Sequence, residues 1–190
     1  MSGTHKLRLP LALAMTLVLL GVAACKRDAE APAATTGAQA PVAGSPVQAE
    51  GGVLSLRVAT LDGGQFDLAE HRGQWVLVNF WATWCSPCLK EMPELSALDA
   101  MREHISVVGL AQEDISADEM RAFLEKHPVV YPIAIVGLEQ SLPGFDAPTG
   151  LPMTYLVAPD GTLAKRYAGV LSATTVEADI GELGGPAPGA

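Results

Sequence analysis

The sequence contains few cysteines, few basic residues and no apolar run long enough for a comfortable bilayer span. Only three cysteines occur among 190 residues, and a domain of this size folds without disulfide staples, so the cysteines need not be structural. Twelve Lys and Arg stand against 21 Asp and Glu, for a formal net charge of −9. This acidity argues against binding nucleic acid or anionic lipid headgroups.

Residues 1–24 predict an export signal. Lys6 and Arg8 form a basic start, and residues 9–24 are apolar apart from Pro10 and Thr16. A basic start followed by a short apolar run is typical of a secretory signal peptide.

The last signal residues and the next cysteine, Val22-Ala23-Ala24-Cys25, have the form of a bacterial lipobox. Small residues before a cysteine allow a lipoprotein signal peptidase to cleave, which would leave Cys25 N-terminal and acylated. Ordinary secretion with a cut nearby and an uncleaved anchor helix are the alternatives. All three export the rest of the chain across the membrane.

Three segments follow the signal. Residues 25–50 are rich in Ala, Pro, Thr and Gly and contain no aromatic residue. Such a segment buries too little surface to offset the entropy lost on ordering, so we predict a disordered tether. Residues 51–185 predict one domain, because their length is typical of one. Residues 186–190 predict a flexible tail.

The domain centres on a strand–helix–strand pattern. Trp75–Phe80 and Ile105–Ala111 are apolar and β-prone, as buried parallel strands are. Between them, Cys88–Glu103 predicts a helix whose apolar residues recur at helical spacing: Leu89, Met92, Leu95, Leu98 and Met101. This order predicts a right-handed βαβ unit.

Shorter elements flank this unit. The sequence predicts two hairpins, a short strand and two capped helices: a strand at Val53–Thr60 turning at Asp62-Gly63-Gly64, a helix from a capping box at Ser116–Glu119 to about Lys126, a strand at Tyr131–Val136, a hairpin of Thr154–Ala158 with Leu163–Ala168, and a helix from a capping box at Thr174–Glu177 to about Leu183. The predicted fold class is α/β and thioredoxin-like: a mixed central sheet flanked by helices, with an N-terminal β-hairpin and a central insertion from Glu113 to Thr149.

Cys85 and Cys88 carry the chemistry. Cys85 follows a buried strand and begins a helix, where unpaired N–H groups and the macrodipole favour an ionised thiol. We expect its sulfur to be exposed and to attack a partner's disulfide. Cys88 lies on the same helical face, within disulfide distance, and would release the reduced partner.

Two other interpretations of the cysteine pair are weaker. A structural disulfide closing so small a loop adds little stability. Zinc usually needs four ligands, yet there is no second CxxC, and His71, His104 and His127 show no ligand spacing. We therefore predict a redox-active disulfide and no metal or other cofactor.

The segment NFWATWCSPCLKEMPEL resembles the TlpA/ResA-like thiol-disulfide oxidoreductases of the thioredoxin superfamily. The pattern W-A-x-W-C-x-P-C-x-x-E-x-P is complete from Trp81 to Pro93, and the resemblance extends from about Val53 through TYLVAPDGTLAKRYAG. It implies a protein-disulfide reductase, lipid-anchored in the bacterial cell envelope and facing the periplasm. The implied partners are disulfide-bearing exported proteins, as in cytochrome c or copper-site maturation, and a membrane electron donor of the DsbD/CcdA type. We expect a monomer.

The resemblance also implies roles for particular residues. Leu151 and Pro152 match the family's cis-proline loop, which faces the cysteine pair and binds substrate backbone, and Met153 stands where Thr is common. Trp84 precedes the nucleophile and is expected to shield it on one side, at the substrate-binding surface. Trp81 is expected in the core.

A third implied role concerns proton transfer. Glu91 matches a glutamate that lines the family's active-site cavity, where it could exchange a proton with Cys88; the alternative is a solvated helix glutamate. Thioredoxin has a buried Asp where this chain has Asn79. Because Asn cannot accept a proton at neutral pH, Glu91 is the candidate base.

Two other functions share this fold. A metallochaperone of the Sco kind spaces its cysteines by three and adds a distant histidine, whereas this pair is spaced by two and His127 is unconvincing in that role. A peroxidase of the peroxiredoxin type needs a Pro-x-x-x-Thr/Ser-x-x-Cys arrangement, which the sequence lacks.

Overall fold

The computed structural model describes residues 52–189. The predicted signal at 1–24, the lipidation candidate Cys25 and the predicted tether at 25–50 lie outside the described residues. Within the described part, none of the helices combines the length and apolar character needed to cross a membrane.

Residues 52–189 form seven strands, three α-helices and a short 3₁₀ helix at Leu68–His71. In chain order these are β1 (Arg57–Ala59), β2 (Gln65–Asp67), β3 (Trp75–Trp81), α1 (Ser86–Met101), β4 (Ile105–Ala111), α2 (Ala117–Leu124), β5 (Ile133–Ile135), β6 (Met153–Val157), β7 (Leu163–Ala168) and α3 (Ala173–Glu182).

The main sheet has the strand order β5-β4-β3-β6-β7, and β1 and β2 form a separate antiparallel hairpin. β3, β4 and β5 are parallel, whereas β6 runs antiparallel to both β3 and β7. The sheet is therefore mixed around one β3–α1–β4 unit. The predicted thioredoxin-like fold and its N-terminal hairpin are confirmed, and the segment from Glu113 to Thr149 contains α2 and the edge strand β5.

Every residue of β3 is buried, which explains its almost continuous apolar sequence. Its side chains alternate between two core clusters. Leu77 and Trp81 pack in the cluster that contains residues of α1 and α3, and Val76 and Phe80 pack in the cluster that contains residues of the N-terminal hairpin. By the same alternation Asn79 lies on the α1 side of the sheet.

The helix α1 buries a stripe of one polar and four apolar positions: Cys88, Glu91, Met92, Leu95 and Leu98. The predicted stripe also included Leu89 and Met101, one at each end. Leu89 is only partly buried, and Met101 is 68% exposed. Pro93 lies inside α1, and the helix continues through it. The missing N–H of Pro93 leaves the Leu89 carbonyl without its helical donor.

One predicted helix start is confirmed and one is wrong. Ser116 and Glu119 form the expected capping box of α2. The last helix, α3, is instead capped by Ser172, whose hydroxyl accepts a hydrogen bond from the Thr175 N–H. The backbone of Ser172 is extended, as a capping residue requires, whereas Thr174 already lies in the first helical turn.

The topology places the cysteine pair at one edge of the sheet. β3 and β4 are parallel, so their carboxyl ends share that edge, and Cys85 comes four residues after β3 ends. β6 begins at Met153, which pairs with Phe80 near the end of β3. Pro152, one residue before Met153, therefore lies at the same edge.

Candidate active site

Cys85 and Cys88 form a disulfide whose Cα atoms are 5.3 Å apart. Cys85 is the N-cap of α1, and its sulfur accepts a hydrogen bond from the Cys88 N–H at 3.3 Å. Cys85 is 4% exposed and Cys88 is fully buried. The expected exposure of the Cys85 sulfur is therefore wrong for this oxidised state, because the residue lies inside the apolar cluster that also contains Leu171.

The start of α1 favours negative charge on the Cys85 sulfur. Its backbone N–H groups point toward the cap, and the macrodipole places partial positive charge there. Pro87 lies in this first turn, where its missing N–H removes no helical hydrogen bond. The first turn contains no acidic residue whose negative charge would offset the positive potential at Cys85. After reduction of the disulfide, the same groups stabilise a Cys85 thiolate.

Glu91 is fully buried one helical turn after Cys88. Its two carboxylate oxygens accept hydrogen bonds from the Asn79 side-chain amide and the Leu171 N–H, each at 2.8 Å. Burial raises the pKa of Glu91 to about 7, although these two hydrogen bonds lower it in part. The alternative of a solvated glutamate is therefore wrong.

Asn79 links Glu91 to the sheet. Its amide nitrogen also donates to the Thr154 hydroxyl of β6 at 2.9 Å. The side chain that replaces the aspartate of thioredoxin is thus a hydrogen-bond donor to Glu91. Glu91 thus places a buried carboxyl group next to Asn79, and its role as the candidate base stays a prediction.

The proline loop has the cis peptide bond that the resemblance implies. The Leu151–Pro152 peptide bond is cis, and the Pro152 carbonyl accepts a hydrogen bond from the Gly169 N–H at 2.9 Å. Gly169 has φ +92°, a conformation that L side chains rarely adopt. Leu151 is half-buried and Pro152 is buried.

The tryptophans have different environments. Trp81 is fully buried in the core, as predicted. Trp84 is 67% exposed, directly before Cys85 in the chain. Its ring is therefore available to an incoming protein.

Sequence reasoning missed one contact at the site. Glu113 accepts hydrogen bonds from both the backbone N–H and the hydroxyl of Thr83. The sequence pattern marked Glu113 only as the first residue of the central insertion. Its position just past the carboxyl end of β4 was the available signal, because ligand-binding and catalytic groups of α/β proteins gather at that edge of the sheet.

The AhpC/TSA family profile matches residues 52–177. The chain belongs to the AhpC/TSA family. The Pro-x-x-x-Thr/Ser-x-x-Cys arrangement that the peroxidase hypothesis needs is still missing from the sequence, so family membership does not favour that hypothesis.

Curated relatives confirm the predicted resemblance. The thioredoxin-like protein YneN of Bacillus subtilis is 30% identical over 62% of this chain and 70% of its own length. The thiol-disulfide oxidoreductase ResA of Geobacillus kaustophilus is 29% identical over 62% of this chain and 67% of its own length. These similarities identify the chain as a thiol-disulfide oxidoreductase of the ResA-like type.

Solved structures confirm the fold. A thiol:disulfide interchange protein from Chlorobium tepidum superposes with a TM-score of 0.59 at 24% identity, covering 73% of this chain and 96% of the other. A DsbF homologue from Corynebacterium diphtheriae gives a TM-score of 0.60 at 23% identity, covering 68% and 85%.

Proposed function

We propose that the chain is a membrane-tethered, periplasm-facing reductase of disulfides in exported proteins. The observation that carries this proposal is the Cys85–Cys88 disulfide at the first turn of α1, with the buried Glu91, whose pKa is near neutrality, one helical turn after Cys88. The substrates we propose are oxidised proteins of cytochrome c or copper-site maturation.

The reaction starts from the reduced chain. The Cys85 thiolate attacks one sulfur of the substrate disulfide, and the other substrate sulfur leaves as a thiolate that takes a proton from water. Cys88 then loses its proton and attacks the Cys85 sulfur. The second substrate sulfur leaves as a thiolate and takes up a proton, which balances the proton that Cys88 released. The substrate thereby gains two electrons and two protons while Cys85 and Cys88 become a disulfide.

Glu91 is the proposed acceptor of the Cys88 proton. A general base works best when its pKa lies near the working pH, and burial raises the pKa of Glu91 to about 7. The fixed hydrogen bonds from Asn79 and Leu171 hold the carboxylate in one orientation. Glu91 therefore lies one turn from Cys88 in a fixed position and with a suitable proton affinity.

Substrate binding is proposed at the edge of the sheet around the cysteine pair. Trp84 presents an exposed aromatic surface beside Cys85. Leu151 and Pro152 border the same edge, and there they would contact the substrate backbone. The electrons to restore the dithiol would come from a membrane donor of the DsbD/CcdA type.

Insulin reduction tests the activity. The purified chain, supplied with dithiothreitol, is expected to precipitate insulin B chains much faster than dithiothreitol alone, because Cys85 supplies a stabilised thiolate. The assay measures turbidity over time. Equal rates with and without the protein would overturn the proposed reductase activity.

The tether is tested separately. Cells that express the chain and are fed labelled palmitate are expected to incorporate label into it, and Cys25→Ala should lose both the label and the membrane fraction of the protein. The control is Cys85→Ala, which should keep the label. A wild-type chain found unlabelled in the soluble fraction would contradict the lipid anchor.

A further inference from the structure

The segment between β3 and Cys85 is held by a side chain rather than by the sheet. The β3–β4 ladder ends with the Gln112 N–H donating to the Trp81 carbonyl at 2.9 Å. Beyond that point Glu113 replaces the backbone partner. One of its oxygens accepts from the Thr83 N–H at 2.6 Å, and the other accepts from the Thr83 hydroxyl at 2.8 Å.

This contact fixes a tight turn that leads directly to the nucleophile. The Cys85 N–H donates to the Ala82 carbonyl at 3.1 Å, which closes the turn. Glu113 is only 7% exposed, and hydrogen bonds to a charged acceptor are roughly twice as strong as neutral ones. The turn is therefore attached at Thr83 to the end of β4, and the residues attached with it are Trp84 and Cys85.

We propose that Glu113 is a positioning residue for disulfide exchange. It acts through Thr83 to hold Trp84 and Cys85 in the orientation that an incoming protein disulfide requires. Its carboxylate binds Thr83, which is two residues before Cys85 in the chain. We therefore expect its negative charge to offset part of the positive potential at the start of α1 and to disfavour the Cys85 thiolate. This inference rests on the proposed reductase function.

The first test separates docking of a protein from intrinsic thiol reactivity. In the full-length chain, Glu113→Gln and Thr83→Val are expected to lower the insulin-reduction rate about tenfold, since misplacing reacting groups is costly. The pH-independent rate of iodoacetamide alkylation, followed at the Cys85 peptide by mass spectrometry, should stay within about twofold of wild type because this small reagent needs no docking. Thr83→Ser keeps both donors and should restore the insulin rate.

The second test measures charge. The pH dependence of the same alkylation gives the pKa of Cys85. Glu113→Gln should lower that pKa by about 0.5–1, because it removes a nearby negative charge, and Thr83→Val should leave it unchanged. The matched control Glu94→Gln removes an exposed carboxylate of α1 that accepts a hydrogen bond from the Ala173 N–H, and it should change neither the insulin rate nor the pKa of Cys85.

The outcomes are distinguishable. If the Glu113→Gln chain melts at a lower temperature but keeps the wild-type insulin rate and Cys85 pKa, Glu113 serves stability alone and the proposal is wrong. If Glu113→Gln does not fold, equal insulin rates for Thr83→Val and Thr83→Ser would overturn it. If the wild-type chain itself fails to reduce insulin, the proposed reductase function is wrong. The change in the Cys85 pKa in Glu113→Gln would still show whether Glu113 acts on Cys85.

Discussion

Replacing Cys85 by serine is expected to reduce catalysed insulin reduction to the rate of dithiothreitol alone. The substitution removes the only sulfur that lies at the N-cap of α1, and a serine hydroxyl is not ionised at neutral pH. We do not expect Cys88 to take over, because it is fully buried. The measurement is insulin turbidity at equal protein concentrations.

The matched control for this loss is Cys25→Ala. It removes the third cysteine of the chain, which lies far from the pair in sequence, and should keep the wild-type rate in detergent solution. Circular dichroism of the Cys85→Ser protein should match wild type, since α1 begins with a serine cap as readily as with cysteine. Substantial insulin reduction by a folded Cys85→Ser chain would refute the assignment of the nucleophile.

Replacing Glu91 by glutamine is expected to remove a large pH dependence of stability. The folded chain has a Glu91 pKa of about 7, against the ordinary value of 4.5, so between these pH values it binds more protons than the unfolded chain. The free energy of unfolding therefore falls as pH rises through this window, by about 3 kcal/mol in total. The full contribution is present below pH 4.5 and is lost above about pH 7.

Urea denaturation between pH 4.5 and 8 measures this slope. Glu91→Gln should flatten it, and should also slow insulin reduction above pH 7, where the wild-type carboxylate can accept the Cys88 proton. The amide of Asn79 can flip so that its unpartnered oxygen accepts from the new glutamine, and the variant should therefore fold. Glu94→Gln, on the exposed side of α1, is the control. Identical slopes for wild type and Glu91→Gln would show that Glu91 does not hold a proton near neutral pH.

Local patterns were sufficient to predict the central elements. β3 and β4 are buried on both faces, so their apolar runs identify them directly. The thioredoxin-like arrangement follows, because one right-handed β3–α1–β4 unit and an antiparallel hairpin leave few topologies. The predicted N-cap of α3 was wrong because Ser172, Thr174 and Thr175 are all residue types that cap helices. Only tertiary packing selects which of them adopts the extended backbone of a capping residue.

Residue spacing identified only the part of the site that is local in sequence, whereas the distant Leu151–Pro152 loop was identified by the family resemblance. Cys85, Cys88 and Glu91 lie on one helix, so their spacing and the motif identified them. Thr83 and Glu113 are 30 positions apart, and only the parallel pairing of β3 with β4 brings them together. The burial of Cys85 likewise depends on its enclosure by residues distant in sequence, such as Leu171.

The central claim is that Cys85 attacks the substrate disulfide and that Cys88 then releases the substrate from the mixed disulfide. The most direct test is to look for a covalent adduct between the reduced Cys88→Ser chain and a disulfide-bearing peptide. Intact mass and peptide mapping should show one peptide joined to Cys85 in a stable mixed disulfide that dithiothreitol removes, whereas the wild-type chain should release its peptide and form the Cys85–Cys88 bond. Absence of the adduct, or an adduct that persists to the same extent in the wild-type chain, would contradict the account.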